Sequence, residues 1–219
     1  MAKDRRIDAL DDPVLQRVDG RLQLCERGAP YGSCLNIDDV RRRLRQGRKL
    51  SLAKACGARP ALHVLDAMAG FGLDGITLAA LGCNVVMVER DPRLFALLED
   101  ALARARVELA LQGDVECREG DVNDVLDRGC AFDTVYLDPM FPPRDKHALP
   151  RRSAQLLTQL VDPPDDLPRL IERARANARL RVVLKRRRHD ATLAEPDWRI
   201  LGRSVRFDVY RGAAPSGDA

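Results

Sequence analysis

From residue 61 onward the chain alternates short β-like runs with segments of helical period, and this alternation restricts its fold more than any other feature. The strands read as Leu62–Ala67, Asn84–Glu89, Val115–Glu119, Phe132–Leu137 and Arg179–Leu184. Strands separated by helices form βαβ units, so the sheet is expected to be parallel. One helix opens with Asp91 as its N-cap and Pro92 at the first helical position. It then sets Leu94, Leu97, Leu98, Ala101 and Leu102 on one stripe facing the sheet. Another runs from Leu73 to Leu81 and stops at Gly82, where a left-handed cap is available. Further helices are expected at Arg152–Leu160 and Asp166–Asn177.

The ends of the chain differ from its middle. The segment "WRILGRSVRFDVYRG" reads as two strands around Gly202 with no helix between them. A terminal β-hairpin added to a parallel sheet is the arrangement of class I methyltransferases rather than of dinucleotide dehydrogenases. The expected fold class is therefore α/β: a Rossmann-like class I methyltransferase with a mostly parallel seven-stranded sheet and a C-terminal antiparallel hairpin. Residues 1–58 lack clear periodicity and read as a small N-terminal extension. Within it, Leu15, Leu22 and Leu24 suggest a β-rich lead-in to a basic segment. Residues 59–212 form the main domain, and residues 213–219 a disordered tail.

A chain of 219 residues has room for one full-sized domain, and 45% hydrophobic with 32% charged residues is a globular balance. No run of about 18 apolar residues occurs, and the stretch Met1–Arg6 leads into no apolar signal segment, so neither a membrane span nor secretion is expected. A cytoplasmic location follows. The six cysteines contain no C-x-x-C pair and read as reduced, mostly packed thiols. His63, His147 and His189 are far apart, so no metal site is expected. The net charge of +4 is modest but bunched, in "RRRLRQGRK" from Arg41 and "KRRR" from Lys185. Basic runs of this kind neutralise phosphates, which makes Arg41, Arg42, Arg43, Lys185 and Arg186 candidate nucleic-acid contacts. The alternative for either run is a solvated face.

After the first strand comes "DAMAGFGLDG", in which Gly70, Gly72 and Gly75 form a literal G-x-G-x-x-G. Glycines there let the backbone turn tightly beside a cofactor, and Glu89 ends the next strand where ribose hydroxyls are held. The fingerprint alone leaves NAD and S-adenosylmethionine (SAM) both open. Asp66 tilts the balance, because D-x-x-x-G-x-G places a carboxylate beside a cationic amino-acid end that NAD lacks. Asp121 follows the third strand, either as an acceptor for an adenine amino group or as a helix N-cap.

The fourth strand delivers "DPMFPP" to the carboxyl edge of the sheet, where open α/β folds hold ligands. This resembles the D/N-P-P-F/Y/W motif of methyltransferases acting on planar exocyclic amines, with Met140 replacing the second proline. A conjugated amine is a poor nucleophile because its lone pair is delocalised. If the Asp138 carboxylate and the Pro139 carbonyl both accept its N–H bonds, the nitrogen is drawn towards tetrahedral geometry. Phe141 would stack on the base.

Taken together, "DAMAGFGLDG", "LGCNVVMVERDP", "VYLDPMFPPRDK", "VVLKR" and "RFDVYRG" resemble the RsmJ family of small-subunit (16S) ribosomal RNA guanine-N2 methyltransferases, over roughly residues 20 to 212. The resemblance implies SAM as cofactor and a guanine N2 acceptor in small-subunit ribosomal RNA or the ribosomal particle. It also implies SAM contacts at Leu73, Asp74, Glu89, Arg90, Gly120, Asp121 and Asp138. Family members often carry Arg before the loop aspartate and a Ser-Ser pair on the third strand, where this chain has Leu73 and Gly120-Asp121. A DNA or protein-glutamine amine methyltransferase, an NAD-dependent oxidoreductase and a non-catalytic RNA-binding protein remain the alternatives.

Overall fold

The computed structural model describes residues 13–129, 132–139, 160 and 166–213. Phe141, Met140, Cys130, His147, nearly all of the helix expected at Arg152–Leu160, and the expected tail beyond Ala213 lie outside the described residues. In chain order the elements are β1 (Val14–Val18), β2 (Arg21–Cys25), α1 (Ile37–Leu44), α2 (Ser51–Cys56), β3 (His63–Asp66), α3 (Leu73–Ala80), β4 (Asn84–Glu89), α4 (Pro92–Glu108), β5 (Val115–Glu119), α5 (Val122–Asp127), β6 (Phe132–Leu137), α6 (Leu167–Asn177), β7 (Ala178–Arg187), β8 (Trp198–Leu201) and β9 (Val205–Arg211).

Seven strands form one sheet in the order β5-β4-β3-β6-β7-β9-β8. From β5 to β7 the pairings are parallel, and β9 runs antiparallel between β7 and β8. This is the expected α/β sheet with its terminal hairpin. β3 and β6 lie side by side while the chain progresses outward from each, so the crevice between their carboxyl ends is the switch point where such sheets bind ligands.

Adjacent residues on each central strand feed opposite faces. Val64, Tyr136 and Val183 join one apolar cluster with α1, α2, α3 and α4. Leu65, Val135, Leu137, Val182 and Leu184 join the other with α5 and α6. The expected stripe on α4 is buried throughout, and the Asp91 carboxylate accepts from the Arg93 and Leu94 amides at 2.9 and 3.2 Å. Burying a leucine contributes about 1.5–3 kcal/mol, so the stripe alone is enough to seat the helix.

The segment before residue 59, expected as an extension, is packed into this core. Leu35, Ile37, Val40, Leu52 and Ala53 are buried in the same cluster as the sheet, and the Thr134 hydroxyl on β6 donates to the Cys56 carbonyl at 3.0 Å. The helices α1 and α2 were not legible as periodic patterns because they are short and α1 carries only two buried apolar residues, Ile37 and Val40. The β-rich lead-in is a hairpin, β1–β2, turned by Asp19 and Gly20 at φ 48° and 76°. Two successive positive φ values match the twist of a tight hairpin, and Asp-Gly tolerates them. Leu24 and its neighbours pack on Leu94 and Leu97 of α4. No helix among the described residues is long and apolar enough to cross a membrane.

Gly72 caps α3 at φ 81°, and a β-carbon there would lie 2.5 Å from Leu98 Cδ1. Gly72→Ala is predicted to lose about 1–3 kcal/mol through left-handed strain and the displaced leucine. Urea unfolding measures this, and a midpoint equal to wild type would show that the loop relaxes without cost.

Candidate active site

Parallel pairing brings the ends of β3, β4, β5 and β6 to one edge of the sheet. Asp66 closes β3, Glu89 closes β4, Gly120 and Asp121 follow β5, and Asp138 follows β6. Between β3 and α3 the glycine loop bends through Gly70 at φ 53° and Gly72 at φ 81°. Its anchor is Glu89, whose two carboxylate oxygens accept from the Gly70 and Asp91 amides, each at 2.9 Å. Burial raises the Glu89 carboxyl above its ordinary value, against the opposing effect of those amides. Gly75 lets α3 approach the strand: a β-carbon there would sit 2.8 Å from Asp66 Oδ2 and 2.5 Å from Met87 Sδ.

The edge encloses a cavity of about 600 Å³. Asp66, Gly70, Leu73, Asp74, Glu89, Arg90, Gly120, Asp121 and Asp138 all line it, so the structure brings together every expected cofactor residue except Gly72. Gly72 acts on α3 from behind the wall. Asp121 caps α5 through Oδ1, accepting from the Asn123 amide and side chain, both at 2.8 Å, and also faces the cavity. The helix-cap reading of Asp121 is thus met, and its place on the wall is compatible with the adenine reading.

Asp66 is 1% exposed, and neither of its carboxylate oxygens has a hydrogen-bond partner. Burial first, then the charges of Asp74 and Asp138, push its carboxyl well above the usual range. A buried acceptor without a donor at a cavity wall fits a ligand that carries an ammonium group.

Asp138 meets a cation that sequence reasoning had assigned elsewhere. Lys185 Nζ lies 2.6 Å from Asp138 Oδ2 and 2.9 Å from Asp74 Oδ2. Asp74 is also held by the Arg43 guanidinium and by the Tyr136 hydroxyl, which donates to it. Burial alone would raise Asp74, but Lys185, Arg43 and Tyr136 outweigh it and hold the carboxyl far below its usual range. Burial likewise opposes the charge on Lys185, yet Asp138 and Asp74 drive its pKa up. Asp138 is raised by burial and by Asp74, with Lys185 opposing. Its side chain is 33% exposed, and it lines the cavity.

Three of the five expected phosphate contacts are therefore redirected. Lys185 and Arg43 are ion-paired inside the site, and Arg186 is 6% exposed, donating to the Ala191 carbonyl at 2.9 Å. For Lys185 and Arg186 the physical reason lies in β7, which continues to Arg187 and pairs with β9 across Lys185↔Phe207 and Arg186↔Arg206, while Arg43 turns from α1 to Asp74. Arg41 and Arg42 are exposed and pair with Asp38 and Asp39 one turn earlier on α1. Sequence reasoning missed Tyr136 and the α6 residues Arg169 and Arg173 as cavity wall, and gave Lys185 another role. For Lys185 a signal existed: in "VVLKR" it directly follows the apolar run of the strand beside β6.

A family model described as "Putative SAM-dependent methyltransferase" matches residues 11–212. A ribosomal RNA small subunit methyltransferase J from Pseudomonas paraeruginosa is 42% identical over 204 residues, covering 86% of this chain and 78% of the relative. Another, from Pseudomonas savastanoi pv. phaseolicola, is 38% identical over 220 residues, covering 93% and 81%. The chain belongs to the ribosomal RNA small subunit methyltransferase J family. Among solved structures, a SAM-dependent methyltransferase from Neisseria gonorrhoeae superposes with a TM-score of 0.68 at 29% identity, covering 90% of this chain and 81% of that one. The fold, the enzyme class and the cofactor follow from membership: this is a SAM-dependent methyltransferase, and the ambiguity of the glycine fingerprint is resolved against NAD.

An ammonium beside Asp66 favours the ionised carboxylate, so SAM binding is predicted to release a proton and to strengthen as pH rises towards the raised Asp66 pKa. Calorimetry in two buffers of different ionisation enthalpy reads the release directly. Asp66→Asn should abolish it and weaken binding, whereas a wild-type binding enthalpy independent of buffer would remove Asp66 from this role.

Proposed function

We propose that this chain transfers the SAM methyl group to the exocyclic N2 amine of a guanosine in small-subunit ribosomal RNA, in the cytoplasm. The observation that carries the reading is the Asp138 carboxylate followed by the buried Pro139, at the carboxyl end of β6 and beside the cavity. The names of the curated relatives supply the ribosomal RNA part of the reading.

On this reading Asp66 would face the ammonium of SAM, Glu89 the ribose hydroxyls and Asp121 the adenine amine, with Leu73, Asp74, Arg90 and Gly120 completing the wall. Bound SAM supplies an electrophilic methyl group on a sulfonium. The Asp138 carboxylate and Pro139 carbonyl accept the two N–H bonds of the acceptor, which localises its lone pair and aims it along the line of transfer. That lone pair would form the new N–C bond as the bond between the methyl carbon and the sulfonium sulfur breaks, leaving the neutral thioether product, and the nitrogen would then lose one proton to solvent. Asp138 stabilises the positive charge developing on nitrogen. Proline suits its place because its φ is fixed and it has no N–H to satisfy. Phe141, three residues beyond Asp138, would stack on the base.

The exposed cations of α1 and the turn after it, Arg41, Arg42, Arg45, Arg48 and Lys49, are the proposed RNA phosphate partners. They would hold the substrate without selecting the base.

Asp138→Ala is predicted to keep the fold yet lose activity by about 10²-fold or more, and Asp138→Asn to fall between, because an amide oxygen still accepts a hydrogen bond without carrying charge. Transfer of labelled methyl to small-subunit RNA or particles, followed by nucleoside analysis, should yield N2-methylguanosine. A methyl group on a ring nitrogen, carbon or ribose would end the exocyclic-amine reading. For RNA binding, an Arg41→Ala/Arg42→Ala double variant should flatten the salt dependence by about 0.7–0.9 in slope for each phosphate that is no longer neutralised. An unchanged slope would return this helix face to solvent.

A further inference from the structure

Asp138 projects from β6 beside Lys185 on β7, the neighbouring parallel strand. The Leu137↔Leu184 register makes Asp138 and Lys185 the next pair along the two strands, which fixes their meeting in the backbone. Lys185 is itself held from the far side by Asp74 on α3, and Asp74 by Arg43 on α1 and Tyr136 on β6. Among the described residues, Lys185, Asp74 and Arg43 bear on the titration of Asp138, and Asp138 in turn bears on Asp66 and Tyr136. Both Lys185 contacts go to Oδ2 atoms, so Asp138 Oδ1 takes no part in this chain of ion pairs.

We propose that Lys185 is a positioning residue for methyl transfer: its ammonium holds Asp138 through Oδ2 in the ionised, oriented state, leaving Oδ1 for the acceptor amine, while Asp74 anchors the ammonium. The inference rests on the reading of Asp138 as the amine's acceptor. A carboxylate at the edge of an apolar cavity, near two further acidic groups, tends to take up a proton and become a donor. A protonated Asp138 would then present a hydroxyl where an acceptor is needed. Lys185 opposes this, and its second bond to Asp74 keeps it from swinging into the cavity and occupying the amine's place. Arg43 and Tyr136 complete the anchor, so a residue on α1 bears on the reacting centre through two intermediates.

The test uses Lys185→Met, which keeps most of the side-chain volume and removes the charge, with Lys185→Arg as the conservative partner. In Lys185→Met the acidic limb of the single-turnover rate should move to higher pH by about one unit or more, and the plateau should fall by about 10²-fold. Lys185→Arg should return most of the limb shift. Asp74→Asn should slow transfer while leaving the limb in place or moving it to lower pH, because it removes a negative neighbour of Asp138 and loosens the anchor. Opposite pH responses from two neighbouring substitutions are not expected of a merely structural defect.

The carboxyl carbon of Asp138, assigned by its loss in Asp138→Asn, is titrated by carbon-13 NMR in the RNA-free enzyme. Its midpoint should rise in Lys185→Met relative to wild type. This readout needs no substrate, so a wild-type enzyme that fails to make N2-methylguanosine overturns the functional reading alone. An Asp138 midpoint that is the same in wild type and Lys185→Met overturns the role of Lys185. Should Lys185→Met fail to fold by circular dichroism, the same midpoint is read in Lys185→Gln, with Lys185→Arg as the charged control. A Lys185→Gln midpoint equal to that of wild type is then the overturning result.

Discussion

The parallel pairing of β3 with β6 is the constraint on which the rest of the site depends. It brings two strand ends together at the point where the chain winds away in both directions, and each end carries an aspartate, Asp66 and Asp138. Asp74 on α3 adds a third carboxylate: Asp74 and Asp138 both push Asp66 up, and Asp74 pushes Asp138 up. Like charges crowded into a water-poor crevice are costly unless cations answer them. Within this cluster the protein supplies Lys185 and Arg43, which serve Asp74 and Asp138 and leave Asp66 without a hydrogen-bond partner. Asp66, pushed well above the usual range, holds its proton more readily than the other two. The two cations therefore answer Asp74 and Asp138, and the ammonium of SAM would be answered by Asp66 as it ionises.

The glycine loop follows from the same crowding. For α3 to bring Asp74 towards Asp66 and Lys185, its first turn must lie against β3 and β4, and Gly75 is where the approach is closest. The loop reaches that position through two positive φ angles, at Gly70 and Gly72, and is tied down by the Glu89 carboxylate through the Gly70 amide. Glu89 therefore has a structural duty alongside the proposed contact to ribose hydroxyls.

The parts of this arrangement that were legible in the sequence are the ones governed by local rules. β4, β5 and β6 begin and end at the residues expected, because each is bounded by turn-forming or charged residues and filled with apolar ones. The start of α4 was readable from Asp91-Pro92, since a cap and a proline act on the backbone within one turn. The candidate cofactor residues were readable because they sit at strand ends, where topology gathers them whatever their sequence separation. What escaped depended on partners distant in sequence. Lys185 and Arg186 looked like surface charge, and only the pairing of β7 with β9 carries the strand past Leu184 and turns them inward. The helix α1 looked like a basic linker because its apolar face is only Ile37 and Val40, and those two matter only once the sheet is there to receive them.

Reassigning the basic residues changes how charge should be read in this protein. The bunching of cations made both runs look like RNA surface, but at the end of β7 Lys185 and Arg186 serve the interior. Arg206 engages Asp208 on the same strand and the carbonyls of Arg188 and Asp190, bracing the turn that follows β7. On α1 and the turn after it, Arg41, Arg42, Arg45, Arg48 and Lys49 all stay exposed. Arg43 lies on that same helix, one or two residues from Arg41 and Arg42, yet points inward to Asp74. Successive helical residues are rotated by about 100°, so one short helix can present two faces: one towards solvent and, on the proposed reading, phosphate, the other towards the ion pairs that end at Asp138. Docking of RNA on the outer face would then bear mechanically on a helix whose inner face holds Asp74. On the proposed reading, substrate binding and the orientation of Asp138 would be joined through a single turn of α1, which would give a basic segment before the main domain a reason to be packed into the core rather than tethered to it.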